Sequence, residues 1–159
     1  MIGAVLHLEE DLYDVLRGPG LTEYMDEHLF DLRQLGMTHM FIVDLTVDNR
    51  IQEWRNYDAG VEKVFVRSVD EIYEAYPDSQ FVRMETQANL ENGGVTDYDT
   101  ITTYDWPDDF ILVTAPDISK VNFIDDYKTR DRVQFLNISQ VPVVWSATAL
   151  ILAMYERSR

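Results

Sequence analysis

The chain has 159 residues, of which 46% are hydrophobic and 12% aromatic, a composition that excludes intrinsic disorder. It contains no cysteine, which excludes thiol catalysis, cysteine-ligated metals and disulfide bonds. A count of 13 lysines and arginines against 29 aspartates and glutamates gives a formal net charge of -16, which disfavours direct binding to nucleic acid. At this length we expect a single domain that covers residues 1–159.

No segment of the sequence is typical of a targeting signal or of a membrane span. The apolar start from Ile2 to Leu8 is too short for the core of a signal peptide, and no basic residues precede it. The run from Val141 to Tyr155 is apolar but contains Pro142, and it falls short of the roughly 20 residues that a span requires. The sequence therefore predicts a soluble cytoplasmic protein, in the host cytoplasm if its source is a virus, with no membrane partner.

The first quarter of the chain contains two predicted strands with a predicted helix between them. The apolar run Ile2–Leu8 is typical of a buried strand. In the segment Thr22–Leu35, leucine and methionine recur every three or four residues, which predicts an amphipathic helix with a threonine at its N-cap. Gly36 follows as a C-cap glycine, and Met40–Val43 is the next predicted strand.

The rest of the sequence continues this alternation. Further strands are predicted at Val61–Val66, Gln80–Met84, Phe110–Thr114 and Arg132–Leu136, with a weaker extended segment near Ile101–Tyr104. Helices are predicted at Val69–Tyr76 and at Val143–Arg157, and a loop is predicted from Asn89 to Asp99. Such repetition of strand and helix predicts a single-domain α/β fold with a mostly parallel sheet flanked by helices.

The order of elements is most informative in the C-terminal third. A strand ends in the turn Thr114-Ala115-Pro116-Asp117, the next strand ends at Leu136, and the last helix closes with Tyr155-Glu156. This layout resembles the carboxyl half of the SPOUT methyltransferases, above all the TrmH-like branch that methylates the 2′-oxygen of ribose in tRNA and rRNA. The passage Gly36–Val43 is similar to an early segment of the same family. The resemblance spans most of the chain and implies an α/β knot at its C-terminal end.

The resemblance also implies a cofactor and a partner. In the SPOUT family, the turn after one strand and the end of the next strand form a backbone cradle for S-adenosylmethionine. Carried over to this sequence, the cofactor-binding positions are Ala115, Pro116, Asp117, Leu136 and Asn137. SPOUT proteins usually dimerise through their last helix, and the broad apolar face of the last helix here favours a homodimer.

Three motifs of that family are altered in this sequence. Phe30 stands six residues before Gly36, where the family has its catalytic arginine. The turn at Pro116 keeps a proline and an acid but lacks the glycines of the family, and Trp145 lies near the position of an expected asparagine. No catalytic residue is assigned. The altered motifs favour a SPOUT-like domain that has lost methyl transfer and acts as a dimeric binding or scaffold module, because a fold does not imply a function.

Two other functions remain open at this stage. The first is an active S-adenosylmethionine-dependent methyltransferase, with an RNA ribose or another substrate. The second is an acidic interaction protein that binds a protein partner or mimics nucleic acid, which the net charge of -16 favours. An acidic or salt-adapted proteome would account for the same charge.

Several polar residues outside the family motifs are also candidates. His28 lies one helical turn before a carboxylate, which we interpret as a surface hydrogen-bonding pair in preference to a catalytic dyad. His7 and His39 adjoin apolar runs and are predicted to be core or strand-end histidines. The acidic clusters match no calcium loop, so no metal site is predicted. Asp44 and Asp117 follow strands, where ligands gather in α/β folds.

Overall fold

The computed structural model describes residues 1–8, 27, 29–45, 60–114, 124–140 and 146–159. The strands in these residues are β1 (Ile2–Leu8), β2 (His39–Asp44), β3 (Glu62–Val66), β4 (Gln80–Thr86), β5 (Asp99–Thr100), β6 (Phe110–Val113) and β7 (Val133–Ser139). The helices are α1 (29–34), α2 (Val69–Ala75), α3 (Gln87–Asn92), α4 (Ile124–Lys128) and α5 (Ser146–Ser158). The strands form one sheet in the order β3-β2-β1-β6-β4-β7-β5.

Every pairing between neighbouring strands of this sheet is parallel, which confirms the predicted α/β class. The chain runs outward from β1 to β3 on one side and then continues on the other side of β1, where β6 is the neighbour of β1. The direction of winding therefore reverses between β1 and β6. In parallel sheets of this kind, ligands bind outside the carboxyl ends of the strands at such a point.

The sheet is buried on both faces, as expected for parallel strands covered by helices. Alternate residues of β1 separate the two faces: Leu6 and Leu8 pack with α1 and α5, whereas Val5 packs with α2 and α4. Because side chains alternate along a strand, His7 projects from the same face as Val5. Gly3 lies at the other end of β1, where an added Cβ would come within 2.8 Å of the Phe41 ring.

The described part of α1 agrees with the predicted amphipathic helix. Leu29 and Leu32 are both 1% exposed and lie in the core beneath α5. Gly36 has a φ of +97° and donates its amide hydrogen to the carbonyl of Arg33 at 2.9 Å, so the predicted C-cap glycine is confirmed. Residues 22–26 and 28 of the predicted helix lie outside the described residues.

Two short helices were not predicted. α3 occupies residues 87–92, so the first part of the predicted loop at Asn89–Asp99 is wrong. The side chain of Thr86 caps this helix by accepting the amide hydrogen of Asn89 at 3.4 Å. α4 spans Ile124–Lys128, between the predicted strands Phe110–Thr114 and Arg132–Leu136, where no helix is predicted. The weak extended segment is a strand only at Asp99–Thr100, just before the predicted range.

The side chain of Arg132 connects the turn before β7 with the C-terminal end of α2 through hydrogen bonds. Its guanidinium group donates to the carbonyl oxygens of Tyr73 (3.1 Å), Tyr76 (2.9 Å) and Ser79 (3.0 Å). The same group lies 4.0 Å from the centroid of the Tyr73 ring. A cation is favourable at the carbonyl end of a helix. This contact holds α2 against the sheet, with the first residues of α2 at the carboxyl edge.

The last helix, α5, confirms the predicted C-terminal helix over residues 146–158. Residues 143–145 of the prediction lie outside the described residues. Of the helices that the structure describes, none is both long enough and apolar enough to cross a membrane. The connections 115–123 and 141–145 would decide whether the chain is knotted; they lie outside the described residues, and the knot stays a prediction.

Candidate functional site

Polar side chains replace apolar ones where the strands reach the carboxyl edge of the sheet. His7 lies near the end of β1, Glu85 near the end of β4 and Asn137 near the end of β7, and Thr114 directly follows β6. Each of these four residues is at most 9% exposed. Buried polar groups need hydrogen-bond partners or a ligand, so this edge is the candidate functional site.

A buried ion pair lies at the centre of this edge. Arg83 is 0% exposed, and its guanidinium group donates to Glu85 Oε1 at 2.6 Å. The other oxygen of Glu85 accepts from Asn89 Nδ2 at 3.0 Å. Arg83 also donates to the carbonyl oxygen of Met84 at 3.0 Å and lies 5.3 Å from the centroid of the Tyr127 ring. These contacts fix a positive charge under the carboxyl edge.

His7 is an uncharged neighbour of that ion pair. Burial, together with the positive charge of Arg83, lowers the pKa of His7 to about 4, although a hydrogen bond with the Thr114 backbone opposes the shift. The imidazole is therefore neutral near pH 7. Burial raises the pKa of Tyr127 to about 12, so its hydroxyl group is also neutral.

The predicted cofactor positions fall in two groups. Ala115, Pro116 and Asp117 lie outside the described residues. Leu136 is fully buried, and its side chain lies in the core beneath α5. Asn137 is 9% exposed, and its side-chain oxygen accepts the amide hydrogen of Ser139 at 3.0 Å. Of the described pair, Asn137 presents a polar side chain near the edge; the cofactor site itself stays a prediction.

The residues beside Asn137 fit a ligand that forms hydrogen bonds. β6, β4 and β7 are neighbours in the sheet, so Thr114, Thr86 and Asn137 all lie near its carboxyl edge. The hydroxyl group of Thr114 is buried and has no hydrogen-bond partner in the described structure. A buried hydroxyl group without a partner costs about 1–3 kcal/mol. A ligand group that completes this hydrogen bond would recover that cost.

A cavity of about 160 Å³ opens at the same edge, beside the ends of β1, β2 and β3. Its lining includes His7 and Tyr127 and the apolar side chains of Val43, Leu45 and Val69. The lining also includes charged groups: Arg67 after β3, Asp70 on α2, Asp126 on α4 and Arg130. The cavity therefore combines an apolar surface with charges of both signs.

The remaining candidates from the sequence lie elsewhere. His39 begins β2 at the opposite edge of the sheet and pairs with Glu62 at 3.1 Å, in agreement with a strand-end histidine. Asp44 ends β2 as expected. His28 lies outside the described residues.

Arg83 and Glu85 are not among the candidate residues indicated by the sequence. Both stand in the buried strand β4, two residues apart and therefore on the same face of the sheet. Two charged residues at this spacing inside an otherwise apolar strand are the signal that could have identified the ion pair.

Solved structures with the same arrangement of elements include an rRNA methyltransferase and a tRNA modifying enzyme. An rRNA methyltransferase from Sinorhizobium meliloti matches with a TM-score of 0.61 and 13% identity over 98% of this chain and 54% of that enzyme. TrmJ from Z. mobilis matches with a TM-score of 0.61 and 15% identity over 99% of this chain and 67% of that protein. The TrmH/SpoU tRNA modifying enzyme from A. aeolicus matches with a TM-score of 0.60 and 12% identity over 100% of this chain and 73% of that enzyme.

These matches define the class of fold. The chain has the α/β fold of the SPOUT methyltransferases of the SpoU/TrmH type, which confirms the resemblance found in the sequence at the level of fold. This chain spans about half the length of the rRNA methyltransferase that it matches. No model of a protein family matches the chain, and no curated protein sequence does.

Proposed function

We propose that this chain is a SPOUT-type domain that has lost methyl transfer and acts as a dimeric binding module. The observation that carries this proposal is the position of Phe30. This side chain is 59% exposed on α1, six residues before Gly36, where the resemblance places the catalytic arginine. A phenyl ring provides neither the positive charge nor the hydrogen-bond donors of a guanidinium group.

The nearest arginine on the same helix does not stand in the place of Phe30. Arg33 lies three residues further along α1, and its guanidinium group is directed towards Gly60. Incubation with radiolabelled S-adenosylmethionine and bulk tRNA or rRNA tests the loss of methyl transfer. We expect no incorporation of label above that of a heat-denatured sample, and incorporation at enzymatic rates would contradict the proposal.

The dimer is supported by apolar side chains that stand in solvent on one side of the sheet. Phe30 on α1 is joined by Leu152 (39% exposed) and Tyr155 (53% exposed) on α5. Both helices pack on the same face of the sheet, where Leu32 and Leu150 lie in one core cluster. Exposed apolar groups of this kind mark interaction surfaces. We propose that they pack against the same helices of a second copy.

Charged substitutions at this surface test the homodimer. We expect Phe30→Asp and Leu152→Glu each to convert a dimer into a monomer in analytical ultracentrifugation, because a carboxylate would be buried without a partner. Leu45→Glu is the matched control, since Leu45 is 44% exposed but lies at the carboxyl edge of the sheet. Wild-type protein that sediments as a monomer, or a control that dissociates equally, would contradict the dimer.

A second candidate function is S-adenosylmethionine-dependent methyl transfer, which is favoured by the Thr114 hydroxyl group, since it has no hydrogen-bond partner among the described residues. Thr114 directly precedes the predicted cofactor turn, and Asn137 ends the predicted cradle on β7. The Thr114 hydroxyl would hold a polar group of the bound cofactor at the carboxyl edge. The cofactor, when bound, supplies the electrophilic methyl group. Without the family's arginine, a substrate would need another group to align its nucleophile.

Calorimetric titration with S-adenosylmethionine and S-adenosylhomocysteine tests the cofactor site. If the site is intact, we expect micromolar binding with one site per chain, and Asn137→Trp should abolish it because the indole ring would fill the cradle. Thr114→Val should weaken binding about tenfold through the loss of one hydrogen bond. Gln134→Trp, on the same strand but away from the edge, is the matched control. No heat at millimolar ligand would contradict cofactor binding.

A further inference from the structure

We propose that the cavity beside the carboxyl ends of β1, β2 and β3 binds a free α-amino acid with an apolar side chain. In this arrangement Arg67 binds the carboxylate of the ligand and Asp126 binds its ammonium group. The proposal goes beyond the proposed function, because it requires neither S-adenosylmethionine nor a dimer.

The position and size of the cavity suit a small ligand. Its lining includes His7 from β1, the strand beside which the winding of the sheet reverses, where α/β folds bind ligands. Its volume is about 160 Å³, whereas a cavity needs only about 10–15 Å³ to hold one water molecule. The cavity therefore has room for a ligand of on the order of ten non-hydrogen atoms. A common α-amino acid such as leucine has this size.

Some of the charged side chains around the cavity already form ion pairs, and others do not. Arg130 forms an ion pair with Asp70 and donates from Nε to the backbone carbonyl of Asp126 at 3.0 Å. In the described part of the structure, the guanidinium group of Arg67 and the carboxylate of Asp126 make no hydrogen bond or ion pair. Among the described residues that line the cavity, Arg67 is thus an available cation and Asp126 an available anion.

A ligand with a single charge fits this arrangement poorly. An anion would meet Arg67 but would also approach Asp126 and a chain with a net charge of -16. A cation would meet Asp126 but would approach both Arg67 and Arg130. A zwitterion has no net charge, and it can pair with both available groups at once. Guanidinium binds carboxylate through two parallel hydrogen bonds, which adds geometric selectivity.

The rest of the lining favours an apolar ligand side chain. Val43, Leu45 and Val69 contribute apolar side chains to the lining, and Tyr127 contributes an aromatic ring. His7 is uncharged near pH 7, since burial and Arg83 lower its pKa to about 4. Its imidazole therefore places no further charge beside the ligand. Burial of an apolar ligand side chain against such a surface is favourable.

Titration monitored by NMR tests the proposal with the full chain and three probes. The probes are L-leucine, 4-methylpentanoate, which lacks the ammonium group, and 3-methylbutylamine, which lacks the carboxylate. We expect saturable binding of L-leucine with shifts confined to residues around the cavity, and binding of each truncated probe at least tenfold weaker. Equal binding of either truncated probe would overturn the zwitterion proposal, and so would the absence of saturable L-leucine binding at tens of millimolar.

Charge-neutral variants locate the site. Arg67→Gln and Asp126→Asn should each weaken L-leucine binding at least tenfold, whereas Asp125→Asn should leave it unchanged. Asp125 is the matched control because it is the preceding residue of α4, has an 82% exposed side chain and pairs with Lys128 at 2.8 Å. An equal loss in the Asp125 variant would mean unspecific attraction and overturn the site.

Two further measurements separate this proposal from others. Asn137→Trp should leave L-leucine binding unchanged, so failure of the cofactor site and failure of the cavity are distinguishable. Adenosine should not compete with L-leucine. Saturable adenosine binding that displaces L-leucine and is lost in Arg67→Gln would identify a nucleobase pocket and overturn the amino-acid proposal.

Discussion

Replacement of Glu85 by alanine is expected to lower the free energy of unfolding by about 3–5 kcal/mol. The substitution leaves Arg83, which is 0% exposed, without its partner at 2.6 Å. A buried charge without a partner loses its hydration and gains nothing in return, which makes this one of the largest single-residue effects expected in the chain. Urea denaturation followed by circular dichroism measures the change.

A double variant at Arg83 and Glu85 separates the free-energy cost of an unpaired buried charge from the contribution of the ion pair to stability. Arg83→Met with Glu85→Gln removes both charges, and we expect it to be more stable than Glu85→Ala alone. Asp125→Ala is the control, because its carboxylate is 82% exposed and such surface pairs contribute little. A loss below about 1 kcal/mol for Glu85→Ala would contradict the description of Arg83 as fully desolvated.

Stability is also expected to fall as the pH is lowered from about 6.5 to about 4, because of His7. The unfolded chain binds a proton at His7 with a pKa near 6.5, whereas the folded chain binds it only near pH 4. Between these values the unfolded state holds more protons, so its population rises as the pH falls. A pKa shift of this size corresponds to about 3 kcal/mol in the free energy of unfolding. This contribution is fully lost below pH 4.

A variant without the imidazole isolates this contribution from that of the many carboxylates. His7→Gln should have a shallower dependence of stability on pH between 6.5 and 4, measured as thermal or urea midpoints at several pH values. His39→Gln is the matched control, since His39 lies on the opposite edge of the sheet and pairs with Glu62. If the wild type and His7→Gln lose stability in parallel, His7 does not remain neutral in the fold.

The local pattern of apolar residues is sufficient to predict most of the regular elements. Apolar runs such as Phe110–Val113 are buried over their whole length, as the interior strand of a parallel sheet requires. On α1, the spacing of Leu29 and Leu32 was sufficient to identify the buried face. These predictions succeeded because burial of a strand or of a helix face depends on the period of its own side chains.

The two short helices, α3 and α4, cannot be predicted from such a pattern. α3 has six residues and α4 has five, which is too short for a helical period to appear in the sequence. α3 depends on the cap from Thr86 and on a hydrogen bond between Asn89 and Glu85. α4 depends on burial of Ile124 and Tyr127 under neighbouring elements. Local capping contacts therefore stabilise α3 and tertiary burial stabilises α4, and neither effect produces a helical period in the sequence.

Taken alone, the sequence determined the class of fold, the order of most elements and the alteration of the family motifs, including Phe30 in place of an arginine. Only the tertiary structure decided that Phe30 stands in solvent, that Arg83 is buried against Glu85, and which residues line the cavity. His7, Arg67 and Asp126 are far apart in the chain but meet at one edge of the sheet. The physical reason is that strand order and helix packing, which depend on contacts distant in sequence, decide which side chains lose water and which keep it.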